Sequence, residues 1–206
     1  MIKQVMATAL VIGSVVGGTG VAHAGVAEIP KGFLLTEAAA VAGPVVEDEE
    51  WWKISNSLAR QLELNPCPRK GKPRDGRVVM RTILYSSSAP SGSSEQLVLY
   101  RSTKAAQAAF RQLRADLTRC PKQASTKRTT RYGYVGKPLR VGDEALSVAG
   151  YFYKERDPGE LGVVARRGTA LFFYTDVGNG AAAGKKIVGQ AKKMAKKVCD
   201  LPGVCG

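Results

Sequence analysis

The short connections between strand-forming segments constrain the fold of this chain more than any other feature. Residues 77–88 and 95–101 are rich in Val, Ile, Leu and Tyr, and the turn-forming loop Ala-Pro-Ser-Gly-Ser-Ser separates them, so the pair predicts a β-hairpin. Parallel strands need long crossover connections, whereas antiparallel strands are joined by short turns. Further strands are predicted, with Gly, Pro and Asp between them, at 127–135, 145–154, 161–167 and 169–176. We therefore expect an antiparallel sheet of about six strands.

Three helices are predicted around these strands. A short helix follows Thr36, a candidate N-cap, and ends before a Gly-Pro pair. A second helix begins after Ser102 and ends at Cys120, and a third covers about 181–199; both carry apolar residues at helical spacing. This order of elements predicts a single α+β domain with the helices packed on one face of the sheet.

Residues 1–24 have the organisation of a secretory signal peptide. A positive start at Lys3 precedes an apolar run, and Ala22-His23-Ala24 matches a small-residue cleavage pattern. The apolar run is interrupted by glycines and is shorter than the roughly 20 residues needed to cross a bilayer. We therefore expect a secreted, extracytoplasmic protein with no membrane span.

All four cysteines, Cys67, Cys120, Cys199 and Cys205, lie beyond the predicted cleavage site. An even number of cysteines in an oxidising compartment indicates two disulfides, for which three pairings are possible. We favour Cys67 with Cys120 and Cys199 with Cys205. A zinc site is not expected, because the chain has no Cys-x-x-Cys pair and no histidine to complete one.

The only histidine, His23, lies in the segment predicted to be removed. Without an imidazole, the mature chain cannot use Ser-His-Asp or Cys-His catalysis. A carboxylate hydrolase stays open as an alternative, with candidate side chains at 47–50, Asp143 and Glu144. These carboxylates lie in a solvated acidic run and in a turn, so we expect no catalytic residue, no metal and no cofactor.

Charge is distributed unevenly along the mature chain. Residues 25–64 form an acidic lead segment, with three basic and seven acidic side chains, whereas residues 65–206 hold 27 basic and 10 acidic side chains. A group of basic residues crowds the stretch after Cys67, namely Arg69, Lys70, Lys72, Arg74 and Arg77. A body this basic produces a field that attracts polyanions such as wall polymers or acidic lipids.

The last predicted helix carries six lysines on the side opposite its apolar stripe: Lys185, Lys186, Lys192, Lys193, Lys196 and Lys197. The simpler interpretation is a solvated face whose cations stabilise the negative end of the helix dipole. The functional interpretation is an anion-binding face. Aromatic residues do not interleave these lysines, which argues against nucleic acid as the partner.

Two groups of aromatic residues are candidates for a ligand cleft. Trp51 and Trp52 are adjacent, so they face opposite ways in regular structure, one toward the core and one toward solvent. Tyr151 and Tyr153 share one face of a predicted strand. Core packing explains these residues as well as an aromatic-lined cleft does, and both interpretations stay open.

Several features together resemble the PknH-like extracellular sensor domains, which are secreted or membrane-tethered actinobacterial modules. These features are the sequence FLLTEAA at 33–39, the Cys-Pro at 67–68, the segment LVLYR at 97–101 leading into an Ala-rich helix that ends at Cys120, and a final basic helix. The resemblance covers roughly residues 33–200. It implies an antiparallel sheet with packed helices, two disulfides, a cleft for an unidentified ligand, and no chemistry.

Within this resemblance, Cys67 and Cys120 match the first disulfide of the family. Cys199 and Cys205 are close together at the end of the sequence and depart from the wider second pair of the family. The expected function is therefore a secreted, non-catalytic, sensor-like binding module for an unknown small ligand. The alternative is a protein that binds an extracellular polyanion or the cell wall through its basic helix face.

Overall fold

The computed structural model describes residues 28–45, 49–67, 73–89, 91–120, 132–152, 159–178 and 180–206. The predicted signal peptide, Glu47 and Asp48 of the acidic run, Tyr153, and the basic residues Arg69, Lys70 and Lys72 lie outside these ranges. Within them the chain forms one domain, built on a single sheet.

The described elements follow the predicted order closely. The helices are α1 (Glu37–Ala42), α2 (Thr103–Arg119) and α3 (Gly180–Lys197), followed by a 3-10 turn at Val198–Asp200. The strands are β1 (Glu50–Ser55), β2 (Arg77–Ser87), β3 (Gly92–Tyr100), β4 (Tyr132–Pro138), β5 (Glu144–Phe152), β6 (Glu160–Arg167) and β7 (Ala170–Val177).

The sheet is antiparallel throughout, as predicted, but it has seven strands in the order β1-β2-β3-β7-β6-β5-β4. The additional strand is β1, an edge strand of only six residues that directly follows the acidic run. Its side chains alternate between half-buried and exposed over Glu50–Lys53, so it carries no continuous apolar signal. The residues predicted as strand at 127–131 lie outside the described ranges, and β4 begins at Tyr132.

Helices cover both faces of the sheet, so the prediction that they pack on one face is wrong. On β3, Leu97 and Leu99 pack in one cluster with α3, whereas Val98 and Tyr100 pack in a second cluster with α2. Because successive side chains of a strand point to opposite faces, these alternating neighbours show two separate cores. The near-continuous apolar runs of β3, β6 and β7 reflect burial on both sides.

The first described part of the lead segment, residues 28–42, packs against the α3 face of the sheet. Phe33 and Leu34 are buried in the α3 core, and Lys197 of α3 lies over the Phe33 ring at 4.7 Å from its centroid while its Nζ donates to the Phe33 carbonyl oxygen. In α1, the buried Glu37 accepts from Arg81 of β2, with Nε 3.1 Å from Oε2. Apolar burial and an ion pair therefore act together to hold the lead segment on the basic body.

Glu95 of β3 ties the start of α1 to the sheet. Its carboxylate, 2% exposed, accepts from the backbone nitrogens of Leu35 and Thr36 at 2.8 and 2.7 Å, from the Thr36 hydroxyl at 2.7 Å, and from the Tyr174 hydroxyl at 2.7 Å. Thr36 thus uses its hydroxyl to reach Glu95 and makes no side-chain cap on α1. A buried carboxylate with four donors is well compensated for the loss of water.

The cysteines form two pairs at disulfide distance, which agrees with the favoured pairing. Cys67 and Cys120 have Cα atoms 5.4 Å apart and join the segment before β2 to the end of α2. Cys199 and Cys205 have Cα atoms 5.1 Å apart and close the turn after α3. No helix among the described residues is both long and apolar enough to span a membrane.

Candidate ligand-binding cavity

A cavity of about 700 Å³ lies between the start and middle of α2 and the described residues of two stretches, 61–66 and 73–77. Its apolar lining includes Leu62, Leu64, Pro66, Pro73, Ala105, Ala108, Ala109 and Leu113. Its described charged lining includes four basic side chains, Arg74, Arg77, Arg101 and Lys104, and two acidic ones, Asp75 and Asp116. The cavity therefore combines apolar and polar walls and carries an excess of positive charge.

The helix wall of the cavity follows from the residue pattern of α2. Ser102 caps the helix by accepting from the backbone nitrogen of Ala105 at 3.2 Å. Large side chains such as Phe110 and Leu117 face the sheet core, whereas alanines line the cavity. Small side chains on this face leave the space that larger ones would fill.

The opposite wall is held against the sheet by Leu64. This side chain is almost fully buried and packs on Gly162 of β6, where an added Cβ would come within 2.8 Å of Leu64 Cδ2. Glycine at 162 therefore provides the room in which Leu64 docks. This contact fixes the position of the Leu64 side of the cavity relative to β6.

Two of the charges that line the cavity neutralise each other. Arg77 donates from Nε to Asp75 Oδ1 at 2.9 Å and from Nη1 to the carbonyl oxygen of Arg60 at 2.8 Å. Burial raises the pKa of Asp75, but the hydrogen bonds and charge of Arg77 outweigh it, so the net pKa lies below its usual value. Asp75 is thus ionised at neutral pH and is engaged in holding Arg77.

Three further lining cations, Arg74, Arg101 and Lys104, are exposed, so they mark the opening of the cavity to solvent, which we call its mouth. They form no ion pair with any described residue. The backbone nitrogen of Arg101 donates to the Gly76 carbonyl at 3.1 Å, which joins the loop to the start of α2. Gly76 has φ of 87°, and a Cβ there would lie 3.1 Å from Arg101 Nε. The left-handed backbone at Gly76 therefore allows the Arg101 guanidinium to lie against the loop.

Asp116 lines the cavity and lies beside the first disulfide. It accepts from Gln112 Nε2 at 2.8 Å and pairs with Arg119. Cys67 and Cys120 have sulfur atoms near the Asp116 carboxylate, but both cysteines are disulfide-bonded, and a metal ligand must be a thiolate. This group of residues is therefore structural.

The three described aromatic candidates, Trp51, Trp52 and Tyr151, are not among the residues that line this cavity. Trp51 is 51% exposed on the edge strand, whereas Trp52 packs toward the α3 core with its ring centroid 4.7 Å from that of Tyr85. Tyr151 is half-buried on β5, and Tyr153 lies outside the described residues. Trp52 instead lines a second, much smaller cavity of about 70 Å³, together with Lys186 and Glu95.

The lysines of α3 divide into two groups. Lys185, Lys186, Lys192, Lys193 and Lys196 are exposed and form no ion pair with a described residue. Lys197 is partly buried against Phe33 and serves the packing of the lead segment. The apolar stripe on the same helix is buried as predicted, at Ile187, Ala191, Met194 and Val198.

Three of the carboxylates considered for hydrolysis, Asp143, Glu144 and Glu50, form ion pairs or hydrogen bonds, and Glu49 is exposed. Asp143 accepts from Arg166 at 2.9 Å and Arg167 at 2.8 Å, and Glu144 pairs with Arg166 at 3.0 Å. Burial raises the pKa of Asp143, but the Gly168 backbone N–H and the two arginines lower it below its usual value. Glu50 accepts from the Tyr85 hydroxyl at 2.8 Å. A carboxylate with a lowered pKa is poorly suited to donate a proton near neutral pH.

The residues that build the cavity were only partly foreseeable. The basic group after Cys67 included Arg74 and Arg77, which do line it. Arg101 directly precedes α2, Lys104 lies in its first turn, and both line the cavity. The sequence predicts α2 as a helix with an apolar stripe, but it does not show that Ala105, Ala108 and Ala109 line a cavity.

Comparison with known proteins shows the fold. No model of a known protein family matches the chain, and no curated protein sequence matches it significantly. The chain is similar to the crystal structure of the extracellular domain of PknH from Mycobacterium tuberculosis, with a TM-score of 0.54, 10% sequence identity, and coverage of 81% of this chain and 94% of that chain. The family resemblance drawn from the sequence is thus supported at the level of the fold.

Proposed function

We propose that this protein is a secreted, non-catalytic, sensor-like binding module whose ligand occupies the cavity between α2 and residues 61–66 and 73–77. The observation that carries the proposal is a cavity of about 700 Å³ with three exposed cations in its lining that form no ion pair with a described residue. Ligand pockets commonly have volumes of roughly 300–1,000 Å³ and combine an apolar lining with a few polar groups. The cavity meets both criteria.

A binding role, rather than catalysis, is favoured by the state of the nearby acids. Asp75 is engaged with Arg77, and Asp116 with Gln112 and Arg119. General acid–base catalysis needs a group whose pKa lies near the working pH, and the pKa of Asp75 is shifted away from it. The fold shared with an extracellular domain supports the same role, and the paired cysteines and predicted signal peptide support an extracytoplasmic location.

The test fills the cavity and measures uptake of a neutral apolar dye, N-phenyl-1-naphthylamine. Ala108→Trp places a large ring in the lining, whereas Ala182→Trp adds the same ring to an exposed position on α3. We expect the wild type and Ala182→Trp to enhance dye fluorescence equally, and Ala108→Trp to lose most of the enhancement. Equal fluorescence for all three proteins would overturn the cavity as the binding site.

A second function, polyanion binding through α3, has its own supporting observation. Five of its lysines are exposed on one helix without an ion-pair partner among the described residues. The test is co-sedimentation with an anionic wall-polymer fraction at low and high salt. The triple variant Lys192→Glu, Lys193→Glu and Lys196→Glu should abolish low-salt retention, whereas Arg111→Glu with Arg114→Glu on exposed positions of α2 should reduce it far less. Equal loss in both variants would indicate nonspecific charge attraction and would contradict a binding face on α3.

A further inference from the structure

The mouth of the cavity concentrates positive charge that its own segments cannot neutralise. The sequence of the segments that build the cavity, residues 61–77 and 103–119, contains three acidic residues, Glu63, Asp75 and Asp116. Glu63 is paired with Arg60, Asp75 with Arg77, and Asp116 with Gln112 and Arg119. Arg74, Arg101 and Lys104 are therefore left without a carboxylate from the chain that builds the mouth.

Two of these cations also lie where positive charge is least favourable. Arg101 precedes α2 and Lys104 is in its first turn, which contains no acidic residue. The N-terminal end of a helix carries partial positive charge, so anions are favoured there and cations are disfavoured. The cluster accordingly gains most from an anion that enters the cavity mouth between the loop and the helix.

Along α2, the cavity has an apolar strip. Its helix wall runs from Ala105 to Asp116, which at a rise of about 1.5 Å per residue corresponds to roughly 16 Å. Ala108, Ala109 and Leu113 form the apolar strip of this wall, Gln112 lies beside them, and no aromatic ring is among the described lining residues. Such a wall matches a flexible alkyl chain better than a flat ring system, which prefers aromatic stacking partners.

We infer that the ligand of this cavity is a single-chain amphiphile with a phosphate or carboxylate head, held by Arg74, Arg101 and Lys104, and with its alkyl chain along α2. This inference rests on the proposed function, since it names the chemistry of the molecule that enters the same cavity. Arginine and lysine bind such heads through charge-assisted hydrogen bonds, and the arginine fork is suited to two oxygens at once.

The test compares two probes with the same alkyl chain, octyl phosphate and octyl glucoside, by isothermal titration calorimetry at concentrations below micelle formation. We expect the wild type to bind octyl phosphate at least about tenfold more tightly at low salt, since hydrogen bonds to charged groups are each worth about that factor or more. The double variant Arg101→Gln with Lys104→Gln should lose this preference while retaining the affinity for octyl glucoside.

The matched control is Arg111→Gln with Arg114→Gln, which removes the same charge from exposed positions of α2 outside the cavity lining. This control should keep the preference for octyl phosphate. Equal affinity of the wild type for the two probes, or equal loss of preference in the two double variants, would overturn the inference. Binding only to vesicles of anionic lipid, with no uptake of monomeric octyl phosphate, would also overturn it.

The neutral dye separates this inference from the proposed function. If every variant takes up the dye but none prefers octyl phosphate, the cavity binds ligands and only the anionic head is wrong. If the wild type takes up neither the dye nor the alkyl probes, the cavity itself is not a binding site and both proposals fail.

Discussion

The two faces of the sheet are covered by helices of nearly equal length, 17 residues in α2 and 18 in α3. They differ in how many of their charged side chains have a partner. On the α3 face, Glu37 is paired with Arg81 and Glu95 accepts from four donors, and the lead segment fills the space between helix and sheet. On the α2 face, a large cavity is open and three cations lack partners among the described residues.

One sheet thus carries a closely packed layer on its α3 face, which we call the closed face, and a layer with a cavity on its α2 face, which we call the open face. Residues 28–42 pack on the α3 face. There Glu37 accepts from Arg81, and the backbone nitrogens of Leu35 and Thr36 donate to Glu95. On the α2 face, the described residues of 61–77 are linked to the helix near its two ends, through the Gly76–Arg101 hydrogen bond and the Cys67–Cys120 disulfide. Two links near the ends of α2 can hold the helix and the facing residues together while a cavity remains between them.

Breaking the buried ion pair should produce the largest effect on the closed face. Glu37→Ala leaves the buried Arg81 guanidinium without its carboxylate, and removing one partner of a buried pair typically costs about 3–5 kcal/mol of unfolding free energy. The control is Glu63→Ala, whose partner Arg60 is partly exposed, and which should cost less than about 1 kcal/mol. Urea denaturation measures both, and similar losses in the two variants would contradict the role assigned to Glu37.

The two disulfides should differ by about twofold in their contribution. Cys67 and Cys120 are 53 residues apart and Cys199 and Cys205 are 6 apart, so loop entropy predicts losses of about 4 and about 2 kcal/mol when each pair is replaced by alanine. Denaturation of the two double-alanine variants measures the stability, and uptake of the neutral dye reports on the cavity. We expect dye uptake to fall only in the Cys67→Ala, Cys120→Ala variant; retained uptake there would show that the disulfide does not shape the cavity.

The strands and helices were largely predictable because local patterns determine them. Ser102 as a cap, the apolar spacing of α2 and α3, and the turn residues between strands place most element boundaries within a few residues of those observed. The edge strand β1 escaped prediction because Glu50–Ser55 mixes charged, aromatic and polar residues without an apolar alternation and pairs with β2 over a long sequence distance. Pairing of that kind depends on tertiary contacts.

The arrangement of layers and the cavity depended on information that local patterns lack. The apolar neighbours Leu97, Val98 and Leu99 indicate burial on both faces, but they do not state which helix covers which face. The cavity is formed where a loop with no regular structure meets the small side chains of α2, and its volume is set by how closely they approach. Charge clustering after Cys67 located one wall, whereas the aromatic residues pointed to other parts of the sheet.

Asp75 provides a pH-dependent test of the charges on the open face. Its pKa is lowered in the folded protein, so near pH 4 the unfolded chain binds more protons, and stability falls as the pH drops through the lowered pKa. Glu37 and Asp143 shift in the same direction. Asp75→Asn should therefore lower stability at neutral pH and flatten its decline in acid, as measured by denaturation between about pH 6 and 3. Asp200→Asn, at an exposed carboxylate, serves as the control, and an unchanged acid decline in Asp75→Asn would contradict the Asp75–Arg77 pair.

The two faces can also be compared by removing a single hydroxyl from one buried tyrosine on each face, Tyr174 on the α3 face and Tyr100 on the α2 face. Tyr174 donates to Glu95 on the closed face at 2.7 Å, so Tyr174→Phe removes one of four donors to a buried carboxylate and should cost about 1.5–3 kcal/mol. The Tyr100 hydroxyl has no hydrogen-bond partner among the described residues, so Tyr100→Phe should change the stability of the ligand-free protein by less than about 0.5 kcal/mol. Urea denaturation of the two variants gives the difference directly. A loss in Tyr100→Phe as large as in Tyr174→Phe would show that the Tyr100 hydroxyl is bonded in solution, and the α2 face would then be as fully satisfied at this position as the α3 face.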